Sequence, residues 1–149
     1  VIAEAAGPEL SPIFQAELIK LADAGDDDAG KAIFRILCDF DIAELSHGDQ
    51  LLACAEDWAR RRELSGDDVV LPGLCALITV RAAVHLQRRE YALAMLHAAE
   101  AIARADTLAD ADHPIAGDMV TEISHWLAAK GFGPEVHRMA KMMLPGMAH

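Results

Sequence analysis

LCALITVRAAVHLQRREYALAMLHAAEAIARA, residues 74–105, is the stretch whose reading decides the fold. It reads as two helices turned back on each other at Arg88 to Glu90. In the second, Tyr91, Ala94, Ala98, Ala101 and Ala105 fall at i, i+3, i+7, i+10 and i+14, one stripe of a 3.6-residue helix. Methyl-sized side chains along a stripe let a neighbouring helix approach to the short end of the usual ~8–10 Å interaxial range. Such a hairpin buries only part of its apolar surface, so it needs further helices stacked against it.

The rest of the composition agrees. Of 149 residues 53% are apolar and only 5% aromatic, and 29 are alanine, the best helix former. Runs rich in Val, Ile and Thr with period two are absent apart from short pieces such as Val69 to Leu71, so the expected fold class is all-α. The length fits a single domain over residues 1–149.

Charge is uneven: of the formal −11, residues 1–70 carry −10 (16 acids, 6 bases) and residues 71–149 carry −1 (8 acids, 7 bases). The acidic half repels phosphate backbones and anionic lipid, so a basic protein patch is the partner it suits and nucleic acid and membrane are not. The longest uncharged run, Val69 to Val80, has twelve residues and contains Pro72 and Gly73, short of the ~18 a bilayer span needs. Val1 to Ala6 lack the basic flank and apolar core of a secretory signal, and the cytoplasm is the expected compartment. Cys38, Cys54 and Cys75 lie within apolar helical pattern and read as buried free thiols of a reducing environment.

Turn and cap residues mark seven helices. After a leader over residues 1–10, Ser11-Pro12 opens the first, with Ile13, Phe14, Leu18 and Leu21 as its apolar face. Asp28 is the expected cap of the second, which carries Ile33, Phe34, Ile36, Leu37 and Phe40. Ser46 and Asp49 resemble a capping box for the third, which buries Leu51, Leu52, Ala55, Trp58 and Ala59 and ends in Arg60-Arg61-Arg62. Pro72 seats the fourth helix, and the fifth gives way to a polar loop over Thr107 to Asp112. Beside that loop His113 helps begin the sixth helix at Pro114. Gly131 closes the sixth, and Pro134 opens the seventh. The helix pairs expected are roughly 11–45, 46–88, 73–106 and 113–145.

Residues 75–106 resemble one tetratricopeptide repeat. Ala82, Tyr91, Ala94 and Ala101 fall on that family's small, aromatic and alanine positions, with Ile102 at the next apolar one. Ile78 stands where the family has a large aromatic and Arg89 where it has the turn glycine, and no proline closes the unit after Arg104. The resemblance implies stacked antiparallel helix hairpins, an α-solenoid fragment, and protein binding in the groove lined by first helices. Ile78, Arg81, Ala82 and His85 would then face that groove. Hairpin starts are unevenly spaced, so an irregular helical bundle stands beside this architecture.

Candidate chemistry is sparse. Glu44 to His47 and Glu122 to His125 both spell Glu-x-x-His. Joined by Glu17 and Glu100, they would compose the ligand set of a ferritin-like metal bundle. Ten Glu and seven His in 149 residues yield about half an occurrence by chance, so two is a mild excess. His85, His97, His113, His125, His137 and His149 recur at twelve residues or, once, sixteen. Twelve residues is ~120° out of phase on an α-helix, so no two on one helix share a face. Met139, Met142 and Met143 read as core or groove filler. No nucleophile elbow, P-loop or dinucleotide fingerprint is present, and neither catalysis nor a cofactor is expected.

The functional expectation is a helical-repeat interaction module of adaptor, chaperone or immunity type, bacterial in its alanine- and arginine-rich composition, holding one protein partner. The metal bundle and a small-ligand sensor domain are the alternatives. A homodimer through the alanine or methionine faces is a further expectation.

Overall fold

The computed structural model describes residues 11–108 and 114–147, with backbone only for 114–117 and 144–147. The leader over 1–10, residues 109–112 of the polar loop, His113 and His149 lie outside the described residues. These are all-helical: seven α-helices, two short 3-10 turns and no strand among them. They group into two compact units divided between Asp68 and Val69.

The N-terminal unit holds α1 (Pro12–Asp23), α2 (Asp27–Asp39), a 3-10 turn (Ile42–Glu44) and α3 (Gly48–Leu64). Ser11 Oγ accepts the Phe14 N–H at 3.5 Å and Pro12 occupies the first turn, as the sequence leads one to expect. Asp26, not Asp28, caps α2, because the turn closes two residues earlier and its Oδ1 accepts the Ala29 N–H at 3.1 Å. The capping box at Ser46 does not form. Leu45 is buried, and α3 begins only at Gly48, where a Cβ would lie 2.7 Å from the Ile42 carbonyl oxygen. His47 takes the cap position, and its N–H donates to Gln15 Oε1 at 2.9 Å.

Trp58 organises this core. Its indole N–H donates to Asp27 Oδ1 at 2.9 Å, its ring meets Phe34 at 5.3 Å between centroids, and Arg62 lies over it at 5.8 Å. Gly30 admits the ring: a Cβ there would stand 2.3 Å from Trp58 Cδ1. Ile33, Leu51, Leu52, Ala55 and Ala59 fill the remainder.

The C-terminal unit begins on the 3-10 turn Asp68–Val70 and contains α4 (Leu71–Gln87), α5 (Tyr91–Leu108), α6 (Pro114–Ala129) and α7 (Gly133–Met147). Two hairpins result, α4 with α5 and α6 with α7. They stack so that α4 lies on α6 and α5 on α7. The seam on α5 is where that stack closes: Ala94, Ala98, Ala99, Ala101 and Ala103 are fully buried. Cys75 donates to the Ala101 carbonyl at 3.5 Å, and Thr79 returns its hydroxyl to the Cys75 carbonyl at 2.9 Å.

Four helices end alike, with one residue in the left-handed region whose own N–H and the next residue's N–H bond back to the last turn. Gly25, Gly66 and Gly131 do this after α1, α3 and α6 at φ near +90°. After α4 the residue is Arg89, at φ 60°, where a Cβ costs roughly 1–2 kcal/mol.

Three further sequence expectations change. Of the apolar face assigned to α1 only Leu18 is buried, while Ile13, Phe14 and Leu21 are exposed, because Gln15 takes the inward position to reach His47. Of the cysteines only Cys75 is buried; Cys38 is exposed and Cys54 half-buried. One helical stretch, Asp68–Gln87, is long and apolar enough to cross a membrane by length and composition, since a single Arg81 interrupts it after Asp68. In this unit it packs on α5 and α6 through Leu74, Cys75, Leu77, Ile78, Thr79 and Ala82.

Candidate functional site

The outer face of α1 is the site that sequence pattern does not predict and the structure supplies. On a 3.6-residue helix Ile13, Glu17 and Leu21 follow one another at i, i+4 and i+8, with Phe14 beside them. Ile13 is 79% exposed, Leu21 45% and Phe14 38%, and Glu17 between them is exposed too. The inward residues are Gln15, at 0%, and Leu18, at 7%. A glutamine thus takes a fully buried position while three large apolar chains of the same helix keep an exposed face. At these partial exposures the three side chains together forgo a few kcal/mol, against the ~1.5–3 kcal/mol that each contributes when fully buried. Contiguous exposed apolar surface of this kind marks contact sites.

Its surroundings are acidic. Residues 11–68 hold 14 acids and 6 bases. Arg60, Arg61 and Arg62 are engaged within their own unit, by Glu56 at 3.1 Å, Asp57 at 3.2 Å and Asp67 at 3.1 Å. That leaves Lys20, Lys31 and Arg35 against eleven further carboxylates.

The residues implied by the repeat resemblance are placed differently from one another. Ile78 and Ala82 are completely buried, while Arg81 and His85 keep partial exposure, so a partner reaches only the latter two without rearrangement. The six residues of the metal reading fall three to each unit. Glu17 and Glu44 are exposed and His47 caps α3. Glu122 and His125 are exposed on α6, and Glu100 is bound to Arg104 at 2.9 Å. Among the described residues no group of three or more His, Cys, Asp or Glu is arranged to hold a metal ion.

A histidine pair was missed by the sequence argument. His85 and His97 stack face to face across the α4–α5 hairpin, 5.2 Å between centroids and 6° between planes, with Glu90 Oε1 3.0 Å from His85 Nδ1. Twelve-residue spacing forbids a shared face on one helix, but these lie on two. His85 lies three residues before the turn at Arg88 to Glu90 and His97 seven after it, so spacing from the turn gave no signal of the pair.

The thiols are not activated. Burial, then the neighbouring Asp23, pushes Cys54 up to about 11; burial likewise holds Cys75 at about 11, and Cys38 is raised by burial and Asp39. Raised thiols are poor nucleophiles near neutrality. Other large apolar side chains are also in the open: Leu64 on α3, Val69 before α4, Leu93 and Leu96 one turn apart on α5, Trp126 on α6 and Met142 on α7.

No family model, curated protein or solved structure matches the chain.

Proposed function

We propose that the protein is a helical interaction module that holds one protein partner, with the outer face of α1 as its principal contact. The carrying observation is the apolar outer face of that helix: Ile13, Phe14 and Leu21 are exposed while Gln15 is buried beside Leu18 on the inner side. The stacking of α4 on α6 and α5 on α7 supports the likeness to tetratricopeptide hairpins, whose work is protein binding. Arg81 and His85 are the accessible part of that second contact. The acidic surface of the N-terminal unit favours a basic partner and speeds its arrival.

The test is affinity capture from the native host with quantitative mass spectrometry. Wild-type protein is compared with an Ile13→Ser, Phe14→Ser, Leu21→Ser variant whose fold is verified by circular dichroism. A protein retained by the first and lost from the second supports the reading. Equal retention of every captured protein removes α1 from the function.

A further inference from the structure

We propose that the outer face of α1 takes a basic amphipathic helix of another protein, one that sets a Lys or Arg between two large apolar side chains four residues to either side. This rests on the interaction-module reading above and adds the chemistry of the occupant.

The spacing comes from α1 itself. Ile13, Glu17 and Leu21 stand one turn apart, so an antiparallel or parallel helix laid along them meets apolar, acid, apolar over ~12 Å. A second helix with the same periodicity fills that surface by ridges into grooves. The other common modes of peptide recognition lack their parts here: among the described residues there is no strand to offer a sheet edge, and Phe14 is the sole aromatic side chain on this face. Helix on helix remains.

Charge then selects the occupant's sign. Covering Ile13, Phe14 and Leu21 takes Glu17 out of water along with them. An anion desolvated without a partner is costly, and a cation at the matching position offsets that cost. The unit's net charge acts in the same direction, since residues 11–68 hold 14 acids and 6 bases. A second copy of this chain is the poorer occupant for the same reason. It would bring 14 acids and 6 bases over residues 11–68 against an equal excess of acid. The lone cation of the face, Lys20, sits at its margin.

The experiment uses the full chain and three labelled helical peptides, read by fluorescence anisotropy. One carries Leu-x-x-x-Lys-x-x-x-Leu on a basic helix, the second replaces the central Lys by Glu, and the third keeps the charge but replaces both Leu by Ser. The expected result is at least about tenfold preference for the first over either other, weakening as salt is raised. In Glu17→Lys the preference between Lys and Glu peptides reverses. Glu17 is exposed, so this variant tests the proposal even if the triple serine variant fails to fold.

Equal binding of the Leu and Ser peptides reduces the interaction to charge alone and overturns the proposal. So does a Glu17→Lys variant with unchanged preference, or a dimer in sedimentation that Ile13→Ser, Leu21→Ser dissociates. If no peptide binds while the capture experiment still shows a partner dependent on α1, the occupant class is wrong and the module reading stands. If both fail, the module reading falls with it.

Discussion

The two units solve the same packing problem with opposite materials. The N-terminal unit closes around one large ring, Trp58, seated over Gly30 and tied to Asp27. Among the described residues the C-terminal unit has no such ring in its core: Ala94, Ala98, Ala99 and Ala101 of α5 are wholly buried, together with aliphatic chains such as Leu74, Ile78, Ile123 and Leu127. A ring core concentrates its free energy in a few contacts. An alanine core spreads it along two helix axes brought close together, where each contact is small and added volume is what hurts. The difference extends to the surface: the ring unit also turns a short helix outward and carries nearly all the net charge.

The comparison breaks most visibly at Trp58. Trp58→Ala removes the ring and leaves a cavity, with an expected loss of about 3–5 kcal/mol in chemical denaturation and lost hydrogen-exchange protection in α2 and α3. A loss below about 1 kcal/mol means the unit is not keyed on the ring. No alanine of the seam replaced by glycine approaches that size, the expected cost being roughly 1 kcal/mol.

The cysteines sharpen the contrast by pH. Cys54 and Cys75 are both pushed up to about 11 from an ordinary 9.0, but one is half-exposed and the other buried. The folded state holds the Cys75 proton more tightly than the unfolded chain does. Its contribution is therefore fully present below pH 9 and lost as pH rises through about 11. The expected loss is on the order of 2–3 kcal/mol, read as the wild-type minus Cys75→Ala difference in stability between pH 8 and 11. The corresponding difference for Cys54→Ala is smaller, because water screens it. Equal slopes for the two would remove the distinction.

Overpacking comes next. Ala98→Leu inserts three carbons where the helices touch, with an expected loss of about 1–3 kcal/mol in the denaturation midpoint. A neutral result would mean that α5 and its neighbours are less closely apposed than the buried seam implies. The smallest effect has the opposite sign. Arg89→Gly relieves a left-handed residue and should raise stability by about 0.5–1 kcal/mol, a few degrees in thermal melting.

Much of this was legible beforehand, and particular residues say why. Helix ends announce themselves locally: Ser11-Pro12, Gly25, Gly66 and Gly131 act through backbone geometry within a few positions, so the helices fall where their signals put them. The alanine stripe of α5 was legible because periodicity is a property of one helix alone. The cap of α3 was not, since His47 finds its partner 32 residues away in Gln15. The same long-range bond altered the reading of α1, where of the expected apolar face only Leu18 went inward and Gln15 went with it. His85 and His97 escaped because their distance depends on two helices and the turn between them.

Sequence by itself determined that this chain is helical, where most of its helices end, and that its acid lies in the first half, because propensity, C-terminal glycines and charge are local or additive. Only the tertiary structure decided which side of α1 meets water, which thiol is buried and which histidines meet. Each of those depends on what another segment offers across space, and hydrophobicity along one helix carries no record of it.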